Sequence, residues 1–272
     1  MSASGKEAAQ LASWPARERI DALKRIVPRA KVKEIISQGP TSQSTCRRLP
    51  AWFMVWFVIA LGLFCRDSYR QVFRWLGPYC RQGTPGRSTL CEARLRLGVA
   101  VMRRLAEAIV TLLGKRETPG AFYRGMRLMA IDGFVVDLAD TEKNERAFGR
   151  PGSGRAAGAF PQARVLSLCE TGSHVLWRNL IKPLCRGEIP MARHLVRYLQ
   201  KGMLLLWDRN FLSYDMVEKV ISQNAQLLAR IKKNLVLPPI EHLADGSYSV
   251  SYTHLTLPTT LPRCRSGWSA DQ

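Results

Sequence analysis

Apolar and polar positions change their rhythm twice along this chain. Residues 1–45 hold the stretch WPARERIDALKRIVPRAKVKEII, where Ile, Leu and Val alternate with Arg and Lys. That spacing gives one apolar stripe and one cationic face, a basic helical lead-in. The breaker run SQGPTSQST closes it. From residue 49 to about 115 the periodicity remains helical. Residues 49–65, LPAWFMVWFVIALGLFC, carry no charge, and in DSYRQVFRWL the positions Tyr69, Val72, Phe73 and Leu76 recur at helical spacing. Gly77-Pro78 breaks that helix. After RQGTPGRST a third helix, LCEARLRLGVAVMRRLAEAIVTLLG, sets leucines and valines inward and arginines outward. These segments predict a compact all-α unit over residues 46–120.

The pattern turns strand-like at about residue 121. Residues 127–131 and 134–138 are short apolar runs, with Asp132-Gly133 between them. A Gly- and Arg-rich loop, FGRPGSGRAAGAFPQAR, follows. ARVLSLCE and HVLWRNLIKP, split by Thr171-Gly172-Ser173, read as a hairpin. Residues 188–200 are predicted helical, 203–207 a buried strand, 213–223 helical and 226–231 a strand. Three strands followed by helix, strand, helix and strand predict a mixed sheet with helices against it, over residues 121–250. The first strand leads into one acid, Asp132, and the fourth into another, Asp208. That is the order of a ribonuclease-H-like architecture, whose sheet brings the ends of its first and fourth strands together. The expected fold class is therefore α/β, preceded by the all-α domain. Residues 251–272 are rich in Thr, Pro and Ser and are expected to be an unrelated tail, disordered or artefactual.

Charge narrows the possible partners. The chain of 272 residues carries 41 Lys+Arg against 21 Asp+Glu, a formal +20. Such a field attracts polyanions, either nucleic acid or an anionic membrane surface. Residues 49–65 fall short of the about 20 apolar residues that usually span a bilayer, and arginines on both sides give no orientation signal. A buried helix is the preferred reading, a membrane span the alternative. No signal peptide is visible. The seven cysteines form no C-x-x-C pair and stand at no zinc-finger spacing from a histidine, which suggests a reduced, cytoplasmic chain. His174 and His194 read as ordinary polar residues. Trp207 reads as core rather than as a base-stacking platform. Gly152-x-Gly154-x-x-Ala157 imitates a dinucleotide fingerprint but follows a turn, not a strand, and is rejected.

Asp132 follows LMAI and precedes Gly133, and Asp208 ends MLLLWD and precedes Arg209-Asn210-Phe211. Each is expected at a strand exit, half exposed, beside a turn. One such aspartate is commonly a turn former or a helix cap. Two in this register suit phosphodiester transfer, in which two divalent ions act on the attacking and leaving oxygens.

The segments YRGMRLMAIDGFVVDLADTEKNERAFGRPG, FPQARVLSLCETGSH and LLLWDRNFLSYD closely resemble DDE insertion-element transposases of the IS-four family. Upstream, RRLPAWFMVWFVIALGLFCRDSYRQVFRWL and STLCEARLRLG resemble its N-terminal domain. The likeness covers about residues 45–250. It implies that Asp132 and Asp208 are the first two catalytic acids and metal ligands for Mg2+ (or Mn2+), two ions in the intact family. It also implies DNA, the terminal inverted repeats, as partner, a homodimer, and a bacterial cytoplasmic location without a membrane. The family's third acid, a glutamate in a later helix with a tyrosine, an arginine and a lysine, has no counterpart. Glu218 and Glu241 come too early. The chain is therefore expected to be a truncated transposase with an incomplete sheet domain, an apolar sheet face left partly uncovered, and little or no strand transfer. A non-catalytic basic DNA-binding protein is the alternative. Arg146, Arg150, Arg155 and Arg164, with Arg209 beyond Asp208, are candidate DNA-backbone contacts; a solvated loop is the other reading of the first four.

Overall fold

The computed structural model describes residues 14–39, 49–79, 83–153, 156–231, 238–250 and 264–266. The chain divides into two compact units, Met1–Thr111 and Leu112–Gln272.

The first unit is helical: α1 (Ala16–Ile26), α2 (Arg29–Ser37), α3 (Ala51–Leu63), α4 (Tyr69–Leu76) and α5 (Arg87–Ile109). Prolines punctuate it. Val27, ahead of Pro28, takes φ −120° and ψ 72°, outside the helical region that a following proline disfavours, so α1 ends there. Pro28 and Pro50 stand extended just before α2 and α3. Helix α3 is apolar all round because it is the centre of the bundle: Phe53, Val55, Phe57 and Ala60 have no exposed surface. Trp56 joins them and donates Nε1–H to the Val27 carbonyl at 2.9 Å, satisfying a carbonyl that α1 leaves open. Ile20 and Leu23 of α1 and Val32 and Ile35 of α2 lie in the same core as α3, Val72, Phe73, Leu90 and Leu105. The lead-in read over residues 1–45 thus shares the core of the helical domain. Among the described residues no helix is long and apolar enough to cross a membrane.

Two details depart from the sequence reading. Helix α5 ends at Ile109 and kinks at Gly98, whose φ of 71° is closed to most side chains. Its apolar residues are also not all inward. Leu90, Ala93, Leu97, Val101 and Leu105 share the buried stripe, whereas Leu95 and Val99 fall on the opposite side and are 73% and 74% exposed.

The second unit is built on a mixed sheet: β1 (Phe122–Tyr123), β2 (Met126–Asp137), β5 (Gln162–Glu170), β6 (Val175–Pro183), β7 (Met203–Trp207) and β8 (Gln226–Ala229). Its order is β6-β5-β2-β7-β8, with β1 folded back on β2. Strands β2, β5 and β6 are antiparallel neighbours, and β2, β7 and β8 run parallel. Helices α7 (Glu188–Val196) and α8 (Tyr214–Ser222) connect the parallel strands. Both pack on one face, joining Met191, Leu195, Met216 and Val220 to Met129, Ile131, Leu166, Leu168 and Leu205. The opposite face leaves Phe134, Leu176, Ile181 and Leu228 exposed, a partly uncovered apolar face as the sequence suggested.

The expected pair of short strands around Asp132-Gly133 is one long strand. Gly133 keeps its place in the ladder opposite Leu166, where a Cβ would stand 3.0 Å from the leucine side chain. The Gly- and Arg-rich segment is also more ordered than a plain loop. It is preceded by α6 (Glu142–Phe148), capped by Thr141 Oγ1 accepting from the Asn144 amide at 3.2 Å, and contains a short hairpin of β3 (Gly152–Ser153) and β4 (Ala156–Ala157). A separate small sheet pairs β10 (Tyr248–Val250) with β9 (Pro239–His242) and β11 (Cys264–Ser266). The rest of the tail read over residues 251–272 lies outside the described residues, as do Cys46 and Cys80. Cys65, Cys91, Cys169 and Cys185 are free thiols.

Candidate active site

The two aspartates are carried by neighbouring parallel strands. Strands β2 and β7 pair Arg127 with Met203, Leu128 with Leu204, Met129 with Leu205 and Ala130 with Leu206. Continuing that register by two residues sets Asp132 level with Asp208, on strands that lie about 5 Å apart. Both residues are exposed. The geometry corrects one expectation: Asp132 is not at the exit of its own strand. It lies in the middle of β2, at the point where β7 has ended and β2 runs on beside β5. The open side left by β7 exposes it.

Local structure holds each carboxylate. Asp132 Oδ1 accepts a hydrogen bond from the Gly133 amide at 2.8 Å. Asp208 continues β7 in extended conformation, with φ −78° and ψ 160°, before a single 3-10 turn, Arg209–Phe211. The Phe211 amide closes that turn on the Asp208 carbonyl at 3.1 Å. Trp207 and Phe211, 5% and 3% exposed, anchor the backbone on both sides of the acid, and their rings stand 6.5 Å apart. Trp207 is therefore core, as the sequence suggested. Across the sheet on the other flank of Asp132, its register partner is Ser167 of β5, which in turn faces Asn179 of β6.

The candidate arginines separate into different environments. Arg146, on α6, is 78% exposed and pairs with Glu142 one turn earlier at 2.6 Å. Arg150 is committed internally: it donates to the Ala159 carbonyl at 2.6 Å and pairs with Asp140 and Glu145, closing the excursion between β2 and β5. Those two acids, Glu145 foremost, hold its guanidinium further towards the charged form. Arg164 pairs with Glu188 at the start of α7 at 3.2 Å. Arg209 is exposed beside Asp208. Arg155 lies outside the described residues. Acids close in space, some of them distant in sequence, explain why Arg150 and Arg164 are not open side chains on a loop.

Glu218 and Glu241 are exposed on α8 and β9. Among the described residues no three His, Cys, Asp or Glu side chains gather closely enough to hold a metal ion. His194 contacts Arg197 at 2.5 Å, and burial, then Arg197 and Lys182, push its pKa down.

One cluster escaped the sequence reading. Glu170, at the end of β5, has no exposed surface. It accepts from the Leu113 and Gly114 amides at 2.9 and 2.7 Å, from Arg127 and from Ser173. The only sequence signal was a charge ending an apolar strand, immediately before a turn.

Comparison with known proteins places these features. A family profile described as "Insertion element 4 transposase N-terminal" matches residues 17–107, which is α1 to α5. The transposase InsG for insertion sequence element IS4, from Escherichia coli (strain K12), is 24% identical over 241 residues, covering 87% of this chain and 53% of InsG. InsZ of the same strain is 23% identical over 223 residues, covering 80% of this chain and 70% of InsZ. The chain thus spans about half the length of InsG. Among solved structures, the piggyBac transposase synaptic complex with hairpin DNA aligns over 85% of this chain and 55% of that one, at 12% identity and a TM-score of 0.39. The profile match over the helical unit, and alignments that run on through both aspartate-bearing strands, make the chain similar to IS4-family insertion-element transposases and support that family for it.

Proposed function

We propose that the second unit is the DNA-cutting part of a transposase, breaking and joining phosphodiesters with divalent cations held by Asp132 and Asp208. The observation that carries this reading is the parallel register of β2 and β7, which sets two exposed carboxylates level at one edge of the β7 strand end. The finer fold reading is ribonuclease-H-like. The order β6-β5-β2-β7-β8, antiparallel through its first three strands in sequence and parallel thereafter, supports it.

The donor chemistry fits the ion. Two hard carboxylate oxygen sets on an open rim suit Mg2+ or Mn2+, which keep several waters and need few protein ligands. Bound there, such ions supply Lewis-acid stabilisation to the attacking and leaving oxygens. The chain's own task is to hold the carboxylates in place: the Gly133 amide orients Asp132, and buried Trp207 and Phe211 fix the backbone at Asp208. Exposed Arg209 and Arg146 are the better candidates for phosphate contact. Arg150 and Arg164 serve mainly to build the site's surroundings. The DNA substrate class is the element's terminal repeats.

The test is nicking of terminal-repeat DNA by an intact protein containing this stretch. Asp132→Asn or Asp208→Asn should each abolish Mg2+-dependent nicking while leaving DNA binding in place; undiminished nicking by either variant sinks the assignment. A non-catalytic DNA-binding protein is the second reading, favoured by the +20 charge and the helical unit. It predicts DNA binding with no response to divalent ions.

A further inference from the structure

Ser167 is buried in β5, 4% exposed, between Leu166 and Leu168. Its register partners are Asp132 on one side and Asn179 on the other, so the three side chains share one face in a row across β2, β5 and β6. A buried hydroxyl needs an acceptor for its proton. Two acceptors flank this one: the Asn179 amide oxygen and the Asp132 carboxylate, whose Cβ stands about 5 Å away across a directly opposed strand pair. The proton goes to asparagine, with Ser167 Oγ donating to Asn179 Oδ1 at 2.6 Å. Asn179 is turned to receive it because its Nδ2 donates to the Leu176 carbonyl at 3.1 Å. A carbonyl only accepts, so the amide's oxygen is the end left for serine.

We infer that Ser167 and Asn179 form a positioning device for Asp132: Asn179 keeps the serine proton off the carboxylate, so its oxygens stay free to hold a cation together with Asp208. The inference rests on Asp132 and Asp208 being cation ligands. Without the Asn179 acceptor, the buried Ser167 hydroxyl has the Asp132 carboxylate as its remaining neighbour in the row. An O–H to carboxylate hydrogen bond is charge-assisted and competes with a cation for the same lone pairs. Asn179 is therefore a positioning residue that acts through Ser167.

The experiment is Mn2+ binding to the full chain at low salt, followed by electron paramagnetic resonance. Asn179→Leu should weaken Mn2+ binding about tenfold, the usual scale for an outer-shell partner of a ligand. Ser167→Ala should stay within about twofold of the parent, because it removes the competing proton itself, so that Asn179 has nothing left to hold away from Asp132. The double variant should regain the parent affinity. An Asn179→Leu chain that binds as tightly as the parent overturns the inference, and so does a double variant as weak as Asn179→Leu alone. A merely structural asparagine would not be rescued by deleting a second polar group. Should Asn179→Leu not fold, Asn179→Asp keeps the acceptor oxygen and should bind Mn2+ at least as tightly as the parent; weaker binding overturns the inference. Asp132→Asn and Asp208→Asn separate the two levels: if neither changes Mn2+ binding, the cation site itself falls, and the positioning role with it.

Discussion

Glu170 shows how one side chain can hold the start of a unit together. Its carboxylate ties the incoming chain at Leu113 and Gly114 to the hairpin turn at Ser173 and to Arg127 at the base of β2. Burial pushes its pKa up, but the hydrogen bonds from Ser173, Gly114, Arg127 and Leu113 outweigh that, and the net shift is downward. A carboxyl lowered on folding stabilises the protein above its unfolded pKa, near about 4.3. That contribution is lost as pH falls through the folded value. Glu170→Gln should cost about 3 kcal/mol at neutral pH, because it leaves the half-buried Arg127 guanidinium without its buried counter-charge. Urea unfolding checks this, and the gap between parent and variant should close as pH drops below the ordinary carboxylate range. A gap constant with pH would mean that the charge contributes nothing. The same cluster demands small neighbours. A Cβ at Gly172 would lie 2.5 Å from the backbone nitrogen of Ala121. Gly172→Ala should therefore lower stability by about 1–3 kcal/mol, the cost of overpacking, read as a fall in the denaturant midpoint.

Among whole elements, α3 and α5 make opposite use of glycine. Gly62, inside α3, has no atom within 4 Å of where a Cβ would stand, so Gly62→Ala should gain about 0.5–1 kcal/mol from helix propensity. Gly98 sits at the kink of α5 with φ 71°, where Gly98→Ala should cost about 1 kcal/mol. Thermal melting of the two variants should shift in opposite directions; a shared direction would show that the kink is not maintained in solution. Strand β2 teaches a related lesson. The Asp132-Gly133 pair read as a break, yet a residue without a Cβ passes under Leu166 and the ladder continues. That continuity puts Asp132 in mid-strand, beside the end of shorter β7.

The whole molecule carries +20, and its acids are used locally where they meet arginine, as at Arg150 and Arg164. The cations left exposed form the field that a polyanion meets. If the proposed function holds, DNA binding should fall steeply with salt, by about a thousandfold between about 50 and about 200 mM if six or more phosphates are contacted. A filter-binding or anisotropy titration with a flat salt response would rule out phosphate contact as the basis of affinity. Arg209→Ala should lower the steepness of that response by about one phosphate's worth. Arg150→Ala should instead appear as lost stability, since its partners are the chain's own carbonyl and acids.

The sequence by itself determined the helical character of residues 49–109, the hairpin at Thr171-Gly172, and the strands and helices from 188 to 229. Those follow from periodicity and turn chemistry, which are local. It also marked Asp132 and Asp208, through their placement after apolar runs and through family resemblance. Only the tertiary structure decided that β2 and β7 are parallel neighbours in a register that levels the two acids. Only it decided that Ser167 and Asn179 continue their row, and that Arg150, Arg164 and Glu170 are spoken for. Pairing between strands far apart in sequence depends on which surfaces bury one another, and a charged side chain's role depends on which opposite charge folding brings to it. Neither is written in the spacing of residues along one segment.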